Sequence, residues 1–284
     1  VSATTSEIDG VRLVEDITYA TTSGEELRLD LVLPERSDRP VPTAIYVHGG
    51  GWARGNRRVD LARRIAGVAR LGIAVAAIDY RLGAPGRFPA AVDDVRAAVR
   101  WLRAHGGEHG VETTRIGAWG SSSGAHLALV AALSRDGGPG GEVGDGGSGS
   151  GIDAVVSFFA TSDLAARATR SAMERRIMPP GPEHAFLGLD EIDDEAEAIR
   201  RARAASPITM VHSDAPPMLL VHGDVDQLVP FSQSQRLHDA IMTAGGRSTL
   251  VCLGGAGHED AAFDQPFVAV LVAQFLRDML ATTA

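Results

Sequence analysis

Short apolar, β-branched runs alternate with helical patterns along most of the chain, and this alternation limits the fold more than any other feature. TAIYVH (43–48), IAVAAID (73–79), TRIGAWG (114–120), DAVVSFF (153–159), PMLLVH (217–222) and STLVCL (248–253) are short and mostly apolar. Such runs suit strands buried on both faces of a sheet. Between them, AAVDDVRAAVRWLRAH (90–105) places Val92, Val95, Val99 and Leu102 on one stripe, with Pro89 at its start. SSGAHLALVAALS (122–134) is rich in Ala and Leu, and FSQSQRLHDAIMTAGG (231–246) ends on a Gly pair, a helix-stop signal. VRLVEDITYA (11–20) and ELRLDLVL (26–33) read as an opening antiparallel pair. Together these predict the α/β class: a mostly parallel eight-stranded sheet with helices on both faces. The apolar FVAVLVAQFL (267–276) is too short to span a membrane and reads as a packed terminal helix.

Two segments break the rhythm. GGPGGEVGDGGSGSG (137–151) holds nine glycines in fifteen residues and reads as a flexible surface loop, since it cannot repay its ordering entropy. No GK[ST] follows it, which argues against a phosphate cradle. Residues 160–210 are too long for a plain crossover. They hold a basic helical pattern (Ala165–Arg176), a Pro-Pro-Gly-Pro break and an acidic helical pattern (Asp190–Ala205), and read as a small cap over one end of the sheet. Arg167, Arg170, Arg175 and Arg176 read as a solvated helix face. Neither an internal repeat nor a break in composition divides the chain, so residues 1–284 read as one domain.

Net charge is −9, and all 27 basic residues are Arg. Without a basic stripe, a nucleic-acid partner is not expected. The single cysteine, Cys252, excludes an intramolecular disulfide and, inside Leu250-Val251-Cys252-Leu253, reads as a small buried hydrophobe. VSATTSEIDG at the start has no basic segment followed by an apolar run. The expected compartment is the cytoplasm, or the outside with a leader already removed. Composition leaves a homodimer open.

Chemistry concentrates in GSSSG (120–124). A nucleophile at G-x-S-x-G occupies a sharp strand-to-helix turn that lifts its hydroxyl clear of the backbone, and glycine on both sides avoids collisions in the bend. Only Ser122 has glycine at both offsets, with a predicted strand before it and a predicted helix after it. Upstream, YVHGGGWARG (46–55) follows another strand. Its glycines let backbone amides approach a ligand, so Gly50 and Gly51 N–H, with Ser123 N–H, are the expected oxyanion donors. His48 reads as structural. A base for Ser122 must be a histidine on a loop. Of nine, His258 in GGAGHED follows the last predicted strand and fits the chain order Ser, acid, His. His126, one helical turn past Ser122, reads as structural, and the other histidines as packing or surface residues. HGDVDQLVP (222–230) supplies two candidate acids, Asp224 and Asp226, and spacing does not choose between them.

HGGGW, DYRLGAPGRFPAAVDDV (79–95), GSSSGAHLA, ASPI (205–208), PPMLLVHGDVDQLVP and GAGH resemble the α/β-hydrolase carboxylesterases. They are most similar to the feruloyl-esterase-like (BD-FAE-type) branch, a neighbour of the hormone-sensitive-lipase group, and the resemblance runs from about Val11 to the C-terminus. It implies an α/β-hydrolase fold, and its HG-x-x-D-x-x-V-P pattern places the acid on Asp226, leaving Asp224 as a turn residue. The lipase group usually carries an acidic residue before the nucleophile and Gly-Gly after it, where this chain has Ser121 and Gly124-Ala125. Its DYRLAPE becomes DYRLGAPGR, and nothing here matches its long N-terminal helical cap.

The expectation is hydrolysis of a small-molecule carboxylic ester by a Ser122–His258–Asp226 triad through an acyl-enzyme, with no metal or organic cofactor. Trp52 and the cap would shape the substrate pocket, with packing the first role of Trp52. The same triad would serve an amide such as an arylformamide, or thioester hydrolysis or acyl transfer. A non-catalytic binding homologue would normally have lost a triad member, and all three are present.

Overall fold

The computed structural model describes residues 4–8, 10–22, 24–135, 151–168, 173, 177, 179–192 and 194–281. Residues 137–150 of the glycine-rich segment, most of the basic pattern after Ala168, and the side chains of Arg167, Arg170, Arg175 and Arg176 lie outside this description.

Nine strands form one sheet among the described residues: β1 (Thr4–Ile8), β2 (Val11–Thr22), β3 (Glu25–Pro34), β4 (Val41–Val47), β5 (Ala74–Ile78), β6 (Val111–Ser121), β7 (Ala154–Phe158), β8 (Met218–Gly223) and β9 (Ser248–Leu253). Their spatial order is β1-β2-β3-β5-β4-β6-β7-β8-β9. β1, β2 and β3 join antiparallel, β3 pairs antiparallel with β5, and every pairing from β5 to β9 is parallel. The expected count of eight misses β1. Its sequence, TTSEI, has neither an apolar run nor a clean alternation, and it gains strand geometry only by pairing along β2.

Side chains alternate between two apolar layers, as strand geometry requires. Ile45, Val47, Ala118, Val155 and Leu220 face α2 (Ala90–His105), α3 (Ser123–Leu133) and α7 (Ser232–Thr243). Ala44, Tyr46, Trp119, Val156 and Val221 face α1 (Ala66–Ala69) and α8 (Pro266–Leu280). The α2 stripe of Val92, Val95, Val99 and Leu102 is buried as its spacing predicts. α3 is buried on every side, because the sheet, α2 and the 3-10 turn Pro207–Met210 all pack against it. Cys252 corrects an expectation: it is exposed. β9 is the last strand of the sheet, so its outer face lacks a full covering layer while Leu253 points inward.

Residues 160–210 hold α4 (Leu164–Ala168), α5 (Pro182–Phe186), a 3-10 turn Leu189–Glu191, α6 (Glu195–Ala204) and the turn Pro207–Met210. The acidic pattern therefore forms a shorter helix than its sequence span suggests, capped by Asp194, whose carboxylate accepts from Ala196 N–H. None of the described helices is long and apolar enough to cross a membrane. Parallel pairing brings the C-terminal ends of β4, β6, β7, β8 and β9 to one edge, so the loops carrying Gly50, Ser122, Asp226 and His258 converge there.

Candidate active site

Ser122 stands at the end of β6 with φ 51° and ψ −120°. A non-glycine residue pays strain to sit there, and the surroundings enforce it. Its N–H donates to Phe158 C=O at 2.9 Å, and its own C=O accepts the first helical bond from His126 N–H at 3.0 Å. The turn lies so close to β4 that a Cβ on Gly124 would fall on the Val47 and His48 carbonyl oxygens, and one on Gly120 would strike the Gly124–Ala125 peptide. Glycine at these two offsets is thus required by contact.

His258 Nε2 lies 2.9 Å from Ser122 Oγ, and His258 Nδ1 lies 2.7 Å from Asp226 Oδ2. Asp226 Oδ1 accepts from Leu228 N–H and Val229 N–H, both at 2.9 Å. Burial works against the charge of this carboxyl. Hydrogen bonds from His222, His258 and Val229 N–H outweigh it and hold Asp226 well below the usual carboxylate range. Asp224 faces elsewhere: its Oδ1 accepts from Gly255 N–H at 2.6 Å and ties down the turn that leads to His258.

The glycine loop after β4 curls beside this array. Gly50 has φ 128° and a Cβ there would collide with the Arg54 carbonyl, so only glycine fits. Ser123 opens α3, where first-turn N–H groups have no intrahelical acceptor. Trp52 is 5% exposed and stacks on Phe186 of α5, with ring centroids 4.6 Å apart. Its ring also meets the edge of His126, with centroids 5.2 Å apart. Pro182 of α5 lies against Gly51, where a Cβ would come within 3.1 Å of it.

His48 donates from Nδ1 to Gly49 C=O at 2.8 Å and stacks on Tyr80. Burial lowers its pKa. His126 is fully buried, donates from Nε2 to Ala205 C=O at 2.8 Å, and is pushed down to about 4 by burial. Neither approaches the Ser122 hydroxyl as His258 does. Sequence reading passed over two neighbours of the array. His222 Nε2 donates to Val229 C=O at 2.9 Å and passes 3.2 Å from Asp226 Oδ2, while its Nδ1 is 2.7 Å from Ser234 Oγ on α7. Phe159 sets its ring edge-on to His258, with centroids 4.7 Å apart. His222 had one available signal, its place four residues before Asp226 in HGDVD; Phe159 had none.

The BD-FAE family model matches residues 29–241. The chain belongs to the BD-FAE family. It is 31% identical over 207 residues to Esterase LipQ of Mycobacterium tuberculosis, covering 73% of this chain and 47% of that protein. To Esterase LipC of the same organism it is 32% identical over 222 residues, covering 78% and 53%. The chain spans about half the length of these curated relatives. Among solved structures it is similar to a truncated carbohydrate esterase from gut microbiota, with TM-score 0.80 and 27% identity over 95% of this chain and 96% of that one. The fold is that of an α/β hydrolase, as the sequence resemblance implied.

Proposed function

We propose that this BD-FAE chain hydrolyses carboxylic esters with Ser122 as nucleophile, His258 as general base and Asp226 as the acid that orients it. One observation carries the reading: two hydrogen bonds, of 2.9 and 2.7 Å, join Ser122 Oγ, His258 and Asp226 in series, and the serine sits on a strained turn. The esterase names of LipQ and LipC support it. His258 Nε2 takes the Ser122 proton as Oγ bonds to the ester carbonyl carbon. Asp226 holds the Nδ1–H tautomer and stabilises the imidazolium. Backbone N–H groups of Gly50, Gly51 and Ser123 meet the tetrahedral oxyanion, where losing one donor typically costs ~3 kcal/mol of barrier. The C–O bond to the alcohol then breaks, and the alcohol leaves with the proton from His258. Water, deprotonated by the same imidazole, releases the acid and restores Ser122.

In this reading the chain is one domain, residues 160–210 form its cap, and Pro182 and Phe186 limit the space above Gly51 and Trp52. The substrate is a small-molecule ester. Ser122→Ala is expected to abolish turnover of short p-nitrophenyl esters with an unchanged circular dichroism spectrum, and a fluorophosphonate is expected to label the native protein but not the variant. Turnover retained in Ser122→Ala would sink the assignment. Rates on a matched ester, thioester and amide rank the acyl chemistries.

A further inference from the structure

Behind the elbow lies a buried guanidinium that the reaction above does not use. Arg64 projects from a π-helical turn, Leu61–Ile65, and is 3% exposed. Its Nη1 donates to Ser121 Oγ at 2.7 Å, its Nη2 to Glu259 at 3.2 Å and its Nε to Asp264 at 2.7 Å. Two of these acceptors are covalent neighbours of the proposed chemistry: Ser121 precedes Ser122, and Glu259 follows His258. The same guanidinium lies 6.0 Å from the ring centre of Phe159, whose ring abuts His258.

The backbone of Glu259 makes this arrangement specific. Its φ is 55°, in the left-handed region that a long side chain rarely adopts. Arg63 and Arg64 together hold its carboxylate, at 3.1 and 3.2 Å, and so give the chain a reason to keep that conformation. Asp60 and Asp264 complete the charges around the two arginines, and Tyr46 Oη sits 2.9 Å from Ser121 Oγ while donating to Asp60. Ser122 and His258 are 136 residues apart in sequence, and no backbone hydrogen bond joins their two loops among the described residues.

We propose that Arg64 and Glu259 are positioning residues that strap the nucleophile elbow to the histidine loop and so set the distance between Ser122 Oγ and His258 Nε2. The proposal rests on the serine-esterase reading above. It also gives the neutral residue before the nucleophile a role. Ser121 offers the strap an uncharged acceptor, because the carboxylates that balance Arg64 come from the histidine loop and the turn before α8.

Removing Arg64 would leave three carboxylates, Asp60, Asp264 and Glu259, to Arg63 alone and endanger the fold. The test is therefore made at Glu259. Glu259→Gly keeps the left-handed backbone at no steric cost and deletes the strap, whereas Glu259→Gln keeps an acceptor for Arg64. Active sites are counted by phosphonate titration, and ester turnover is expressed per titrated site. We expect Glu259→Gly to lose kcat on the order of 10- to 100-fold with KM within about twofold, as a displaced reacting pair does. Glu259→Gln should stay within about threefold of the native rate. If the glycine variant fails to fold, Ser121→Ala cuts the strap from its other end and should lower kcat per site in the same sense.

A merely structural Glu259 would lower the melting temperature or the number of titrated sites and leave kcat per site intact; that result overturns the proposal. So does a rise in KM at constant kcat, which would mean that Glu259 contacts substrate. Failure of the native protein to take the phosphonate at Ser122 removes the esterase reading itself, and the strap with it. A labelled native protein with an unaffected glycine variant removes the strap alone.

Discussion

Asp226 shows how a carboxyl 7% exposed remains a carboxylate. Two backbone N–H groups occupy Oδ1, His258 bonds to Oδ2 and the imidazole of His222 lies 3.2 Å from it, so desolvation is offset by polar contacts that favour the charged form. Because the folded-state pKa is lowered, the stability this group contributes is present above the ordinary value of ~3.9 and is lost as pH falls through the lower, folded value. Asp226→Asn is therefore expected to melt below the native protein at pH 7, with the difference shrinking toward pH ~2.5. A pH series of thermal melts checks this. The same variant offers His258 an amide that can select the wrong tautomer, and kcat should fall by about 10³- to 10⁴-fold. Much at this scale was legible in sequence. Glycine offsets single out Ser122, because the steric demand of the bend is local. Spacing alone did not separate Asp224 from Asp226, since both follow β8 and only the packing of two distant loops determines which carboxylate meets His258.

At the scale of elements, periodicity is strongest where an element packs on one side. The bounds of α2 coincide with its sequence pattern, and its stripe is buried. The acidic pattern at 190–205 overran its helix, because Gly188 in the left-handed conformation and the 3-10 turn after it delay the start to Glu195. β1 and Cys252 show the converse at the sheet margins. An edge strand is defined by its neighbour, so hydropathy alone says little about which of its residues face water. α5 is short and polar at its start, yet Phe186 is 3% exposed and stacks on Trp52 of the glycine loop. Phe186→Ala should cost ~3–5 kcal/mol by cavity formation and loosen the loop that carries Gly50 and Gly51. Urea titration measures the first effect. The second should appear as a larger loss of kcat than of KM on p-nitrophenyl esters.

For the whole molecule, the sheet forms a gradient from margins to centre. β5, β4, β6, β7 and β8 are paired on both sides and buried between two helical layers, whereas β1 and β9 each have one partner among the described strands. Local opening follows burial and pairing, so amide hydrogen exchange should be slowest in the five strands from β5 to β8 and fastest in β1 and β9. Mass-spectrometric exchange on peptides spanning 4–22, 41–47, 111–121 and 248–253 tests this. Uniform protection across the sheet would contradict it. A slow centre also suits the proposed chemistry, because Ser122 leaves β6 and the oxyanion loop leaves β4, its neighbour in the sheet.

The sequence by itself determined the α/β alternation, the glycine-flanked Ser122 elbow and the glycine loop at 49–51. These depend on backbone sterics and on side-chain period, and both are properties of short segments. Tertiary structure alone decided that β1 joins the sheet and that Cys252 faces outward. It also placed His222 on Asp226 and Phe186 on Trp52, and brought Arg64 to both Ser121 and Glu259. Each of these joins residues distant in sequence or depends on which strand ends the sheet. Such contacts exist only after parallel pairing has carried separate loops to one edge, and no local pattern records them.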